Sequence, residues 1–222
     1  MGKPINIPTF SYELNTMVRK HRETKGYTQE EFAFLIGKPL EEIQNNENLT
    51  SDSSYDINHT NFYARILSKK PKEMFFEDSF EEANINIIAT KTTVKNKRTG
   101  IEIDKFKGTS SFNKKSMEIE SYSLPIKPVY DVTIEDENKV LKIMDQWLRE
   151  GYFKIGITGY KLYQDLLAQH AEGKIQLPDS FRPILVSRAI TTMCGRRKKP
   201  KLLPHRKLPK TLEKWLLYKE DV

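Results

Sequence analysis

The residues best equipped for chemistry in this chain are one cysteine, four histidines and a dense run of cations toward its C-terminal end. Cys194 stands beside Gly195 and the cluster Arg196, Arg197, Lys198 and Lys199, where positive charge can lower a thiol pKa. A free cysteine closing an amphipathic helical pattern is more often a packing residue, and Cys194 is expected to be one. His21, His59, His170 and His205 are too dispersed to define a triad, and no close Cys or His pair has zinc-ligand spacing. Gly156 and Gly159 in KIGITGYK lack the GxGxxG spacing of a dinucleotide site, and no glycine-rich phosphate loop, HExxH or GxSxG occurs. Catalysis, a metal and an organic cofactor are therefore not expected.

Clustered Lys and Arg have a different chemistry, the binding of phosphate oxygens without regard to base sequence. The segment GRRKKPKLLPHRKLPK holds Arg196, Arg197, Lys198, Lys199, Lys201, Arg206, Lys207 and Lys210 and no acidic residue. The formal charge of +7 is unevenly spread: residues 10–78 carry nine Lys/Arg against twelve Asp/Glu, residues 79–138 nine against ten, and residues 139–222 eighteen against eight. An electrostatic grip on nucleic acid is thus expected in the C-terminal third.

The elements that must position these groups follow from hydrophobic spacing. Leu14, Met17, Val18 and His21 share one face of a first helix, ended by Gly26. Thr28 with Glu31 forms a capping-box pattern ahead of a second helix carrying Phe32, Ala33, Leu35 and Ile36, which stops at Gly37. Pro39 suits the first turn of a third helix, 39–48, with Leu40 and Ile43 inward. Phe62, Tyr63, Ile66 and Leu67 mark a fourth helix, and PKEMFF a short fifth.

From about residue 86 to 134 the period changes to two, in INIIATKTTV, GIEIDKF, SMEIESY and VYDVTI, which predicts an antiparallel sheet or β-rich connector. Pro125 and Pro128 make SLPIKP an edge or a linker. Helical spacing returns at Val140, Leu141, Met144, Trp147 and Leu148, at Leu162, Tyr163, Leu166 and Leu167 behind Thr158, and over 179–194. A last short helix is expected through Leu212, Trp215 and Leu216. Order and charge together allow a winged-helix-like unit here, with Arg196 to Arg206 as the wing and Arg182 and Arg188 facing nucleic acid. The alternative is a solvated basic tail docked through Trp215 and Leu216.

The stretch MVRKHRETKGYTQEEFAFLIGKPLEEIQNNEN followed by FYARILSKKPKEMFF resembles the XRE family, the Cro and phage-repressor type of helix-turn-helix, over roughly residues 12–78. The match lies in Arg22, the Gly26 to Ala33 block, Gly37, Ile43 and Glu47. The resemblance implies a five-helix DNA-binding domain in which Arg22 and Glu47 pair across the first and third helices as a structural bond. It also implies that Gln29, Lys38, Glu41, Glu42, Gln44, Asn45 and Asn48 face DNA, with Gln and Asn suited to adenine and Lys to phosphate or guanine. Glu41 and Glu42 put two negative charges on the third helix, which repel a phosphate backbone and favour contact with a basic protein partner as the alternative.

The expected architecture is mainly α with a β-rich middle: an arm over 1–9, a helix-turn-helix domain over 10–78, a β connector over 79–136 and a basic helical domain over 137–222. The expected function is a bacterial or phage regulator of transcription, a homodimer occupying double-stranded DNA, the alternative being an antitoxin-like or adaptor protein. No apolar run is long enough to cross a membrane and the N-terminal residues lack a secretory signal, so a cytoplasmic location is expected.

Overall fold

The computed structural model of the chain describes residues 4–77, 81–112, 115–207 and 215–221. In chain order its elements are β1 (Pro4–Pro8), α1 (Thr9–Thr24), α2 (Gln29–Ile36), α3 (Leu40–Asn46), α4 (Thr60–Leu67), β2 (Asn84–Lys95), β3 (Glu102–Phe112), β4 (Lys115–Pro125), α5 (Ile134–Arg149), β5 (Ile157–Thr158), α6 (Gly159–Ala171), α7 (Pro183–Cys194), β6 (Lys201–Lys207) and β7 (Trp215–Asp221). Among the described residues these make seven α-helices, a four-stranded sheet and a three-stranded sheet, so the fold is mixed α/β and not mainly α.

The chain divides into two compact units, each assembled from separated segments: residues 1–26 with 41–129, and residues 27–40 with 130–222. The consecutive segments expected from the sequence are therefore not the packing units, and the span 10–78 is shared between both.

In the first unit the strands form an antiparallel meander ordered β1-β2-β3-β4. Residues 4–8, expected as an arm, are its first strand: Ile7 pairs with Ile85 and Ile5 with Ile87. Ile7, Ile85, Ile87 and Ala89 bury one sheet face with Tyr12 of α1, the period-two pattern doing what a half-buried strand requires. Beyond Ala89 that alternation stops, and β2 runs on to Lys95 with every side chain exposed. α1 packs on α4 and on a single 3₁₀ turn, Pro71–Met74, which stands where a fifth helix was expected. α3 is shorter than the expected 39–48 and ends at Asn46.

In the second unit α2 packs on α6 and α7, α7 packs on α5, and the small sheet is ordered β5-β7-β6. Thr28 caps α2 in a full capping box with Glu31, and Gly37 closes it at φ 67°, a left-handed position costly to other residues. α2 and α6 approach so closely that a Cβ on Gly159 would lie 2.6 Å from the Phe34 carbonyl oxygen. Phe32, Leu35, Met144, Phe153, Leu162, Leu166, Ile184 and Met193 are all essentially inaccessible.

Three expectations here are corrected. VYDVTI is not a strand: Thr133 Oγ1 accepts from Asp136 N at 3.1 Å, and this cap starts α5 at Ile134. The last helix expected through Trp215 and Leu216 is instead strand β7, whose backbone pairs with β6 from Lys201↔Asp221 to Lys207↔Trp215; cross-strand pairing overrides a brief helical spacing. The helix predicted over 179–194 begins at Pro183, at the first-turn position proline favours. Lys210 and Leu212 lie outside the described residues.

Candidate nucleic-acid interface

α1 enters the first unit with two arginines on its buried side, and the fold supplies carboxylates to both. Arg22 donates from Nε to Glu47 Oε1 at 2.7 Å and from Nη2 to Oε2 at 2.6 Å. Tyr55 donates to the same Oε1 at 3.1 Å, and the Tyr122 hydroxyl donates to the Glu47 carbonyl at 2.6 Å while accepting from Leu49 N. Burial opposes the charge on Arg22, and adjacent Glu47 outweighs it, so the guanidinium pKa is raised. Burial foremost, then Glu47, holds the Tyr55 hydroxyl far above its ordinary value. Arg19 pairs with Glu120 and lies 3.8 Å over the Tyr122 ring. A cleft of about 20 Å³ beside this network, lined by Asn15, Thr16, Asn46 and Ser51 among others, has room for one water. The network fastens α1 to the end of α3 and to β4.

The residues that the helix-turn-helix resemblance assigns to DNA are not gathered into one unit. Gln29 and Lys38 are half-buried residues of the second, Gln29 opening α2 and Lys38 following Gly37 with its N–H on the Ala33 carbonyl. Glu41, Glu42, Gln44, Asn45 and Asn48 belong to the first. On α3, Glu41, Gln44 and Asn45 are exposed and Glu42 is half-buried. Asn48 lies past the helix end, where its Oδ1 accepts from Thr50 N and Thr50 Oγ1, so its side chain closes a turn.

In the second unit most of the expected DNA-facing cations face carboxylates. Arg182, which precedes α7, donates to Glu31 at 2.6 Å from both Nε and Nη2, and Ile184 N adds a 3.3 Å bond to that carboxylate. Arg188 pairs with Glu137. The two guanidiniums flank the Tyr130 ring at 5.4 and 5.3 Å, and the Tyr130 hydroxyl donates to Glu30 at 2.8 Å. Arg196 bonds Asp145 at 2.5 Å, and Lys199 bonds Asp221 at 3.1 Å. Arg197 and Lys198 are exposed, and among the described residues neither has a carboxylate partner. They follow the open stripe of α7: Ser187 and Arg188 are half-buried and Thr191 and Thr192 exposed, while the rest of the helix is largely enclosed. Thr191 and Thr192 are not among the residues expected from the sequence, although the apolar spacing at 185, 189 and 193 leaves them as the polar face.

Cys194 closes α7 half-buried, and burial pushes its thiol pKa up, away from the reactive thiolate. Among the described residues no group of three or more His, Cys, Asp or Glu is arranged to hold a metal ion, and no helix is long and apolar enough to cross a membrane. What the second unit offers chemically is a short run of hydroxyls leading to two unneutralised cations, a surface that can donate to phosphate oxygens. No family model, no curated protein and no solved structure matches this chain.

Proposed function

We propose that the chain binds duplex DNA through its second unit and regulates transcription by occupancy. The observation that carries this reading is the element order of α5 to β7, helix-strand-helix-helix-strand-strand with the sheet ordered β5-β7-β6. That order supports a winged-helix reading, with α6 and α7 as its helix-turn-helix pair. α7 is then the helix that meets the major groove, through Thr191 and Thr192, and Arg197 and Lys198 reach phosphates beside it. The unit reads little sequence by itself, since its open stripe has no Asn, Gln or unpaired Arg for bidentate base contacts. Specificity is expected from two copies on a divided site.

Selection of the full chain against a pool of random duplexes at two salt concentrations tests this. Salt-sensitive retention that weakens in Arg197→Gln/Lys198→Gln is the expected result, and an enriched palindrome would establish the dimer and its half-site spacing. Absence of retention at either salt would remove the reading.

A second reading is favoured by the surface of α3, where exposed Glu41 stands beside Gln44 and Asn45 with no cation on the helix. This surface fits a basic protein partner better than DNA. Reversal of Glu41 and Glu42 to Lys should abolish such a partner, and should tighten duplex binding if α3 faces DNA instead.

A further inference from the structure

The nine Lys/Arg and ten Asp/Glu of residues 79–138 conceal a strong local asymmetry. Residues 90–107, the distal part of the β2-β3 hairpin, hold Lys91, Lys95, Lys97, Arg98, Lys105 and Lys107 against only Glu102 and Asp104. Strand register sorts these charges by face. One face carries the cross-strand sets Lys91↔Phe106↔Tyr122, Thr93↔Asp104↔Leu124 and Lys95↔Glu102. Both hairpin carboxylates lie on it and both are neutralised, Asp104 by Lys91 at 2.7 Å and Glu102 by Lys95 at 3.5 Å.

The opposite face carries Thr90↔Lys107↔Ser121, Thr92↔Lys105↔Ser123 and, nearer the tip, the apolar row Val94↔Ile103↔Pro125. Its carboxylate, Glu118, sits toward the base and is held by Lys107 at 2.7 Å. The hairpin tip is a built turn: Asn96 Oδ1 accepts from Arg98 N at 2.9 Å and Thr99 N at 3.2 Å, and the Asn96 carbonyl accepts from Gly100 N at 2.8 Å. Lys97 and Arg98 are exposed on that fixed backbone, and among the described residues no carboxylate pairs with Lys97, Arg98 or Lys105.

We infer that this face, from the Lys97-Arg98 tip to the Lys105 row, is a second phosphate-contacting surface for duplex nucleic acid. The Lys105 and Lys107 ammoniums stand there among threonine and serine hydroxyls at strand spacing, all of them donors to phosphate oxygens, and the Val94–Ile103–Pro125 row separates them from the Lys97 and Arg98 cations of the tip. The described side chains of the face include no aromatic ring, so it lacks the stacking platform that single strands require. The contact is with the backbone and independent of base sequence.

This inference rests on the reading that the chain binds DNA, and the test separates the two. Anisotropy of a labelled random-sequence duplex with the full chain, followed from about 50 to about 200 mM salt, gives the slope of log K against log salt. Lys97→Gln/Arg98→Gln/Lys105→Gln should reduce that slope by about 2 to 3 and weaken binding by roughly 10- to 100-fold at the lower salt. Thr92→Glu, which adds a carboxylate beside Lys105 on an exposed position, should weaken binding in the same direction. If both variants keep the wild-type slope and affinity while Arg197→Gln/Lys198→Gln loses them, the sheet surface is overturned and the second unit's role stands. If the wild-type chain binds no duplex, both fall together.

Discussion

Glu47 in the first unit and Glu31 in the second are both fully buried, and each grips an arginine through two hydrogen bonds. They differ in the cation. The Arg22 side chain is 4% exposed and its carboxylate lies 25 residues away, whereas Arg182 is 31% exposed and its carboxylate lies 151 residues away. The first pair ties neighbouring helices and keeps its arginine from water, with only a longer 3.7 Å contact to Glu23 besides. The second joins two remote stretches of chain, yet its arginine can turn to water. Buried ion pairs of similar geometry therefore do different work: one sets local stability, the other holds a segment from the N-terminal half inside a unit built mostly from the C-terminal half.

The largest loss is expected at Glu47. Glu47→Ala leaves buried Arg22 with only the 3.7 Å contact to Glu23 in place of two hydrogen bonds and also removes the acceptor of Tyr55, so a loss of about 3–5 kcal/mol is expected in urea unfolding. A loss under about 1 kcal/mol would mean that the first unit relaxes to solvate Arg22, contrary to its burial. Glu31→Ala should cost less, about 1.5–3 kcal/mol, because Arg182 regains water. Equal losses at the two sites would show that exposure of the cation is not what separates them.

The smallest expected effect sharpens the electrostatics of the second unit. The Ser180 hydroxyl bonded to Asp136 at 2.7 Å, aided by the Thr133 backbone N–H, holds this carboxyl below its ordinary pKa. A depressed folded pKa contributes stability that is present above the unfolded value, about 3.9, and is lost as pH falls through the folded one. Asp136→Asn should therefore melt below the wild type at neutral pH, and the two curves should converge below about pH 4. Parallel curves down to pH 3 would place the bond's contribution elsewhere.

Much of this architecture was legible where its cause is local. The Thr28 and Thr158 caps, the stop at Gly37, and the period-two runs of β2, β3 and β4 all act within a few residues, and the elements stand where these signals put them. β1 was not legible because five residues between prolines become a strand only through a partner distant in sequence, and β7 because its partner β6 lies in a basic, proline-punctuated run without a period-two pattern. The membership of α2 has a sequence signal in the unbroken apolar run Phe32 to Ile36, more than a helix showing one face to a small core requires, and all five are buried. For the candidate site, the cations were readable and their neutralisation was not. Glu31, Glu137, Asp145 and Asp221 each meet their cation from another element, and no local pattern announces them.

The scattered make-up of the second unit also governs how the molecule is made. α2 leaves the ribosome long before the helices that enclose it, and at about 5–20 residues per second the 151 residues from Glu31 to Arg182 take roughly eight to thirty seconds to appear. Through that interval Phe32, Phe34, Leu35 and Ile36, buried in the finished fold, lack the packing of α6 and α7. The nascent chain thus offers a short apolar segment flanked by charge, the kind of site that chaperones hold, and translation speed becomes a variable in its yield.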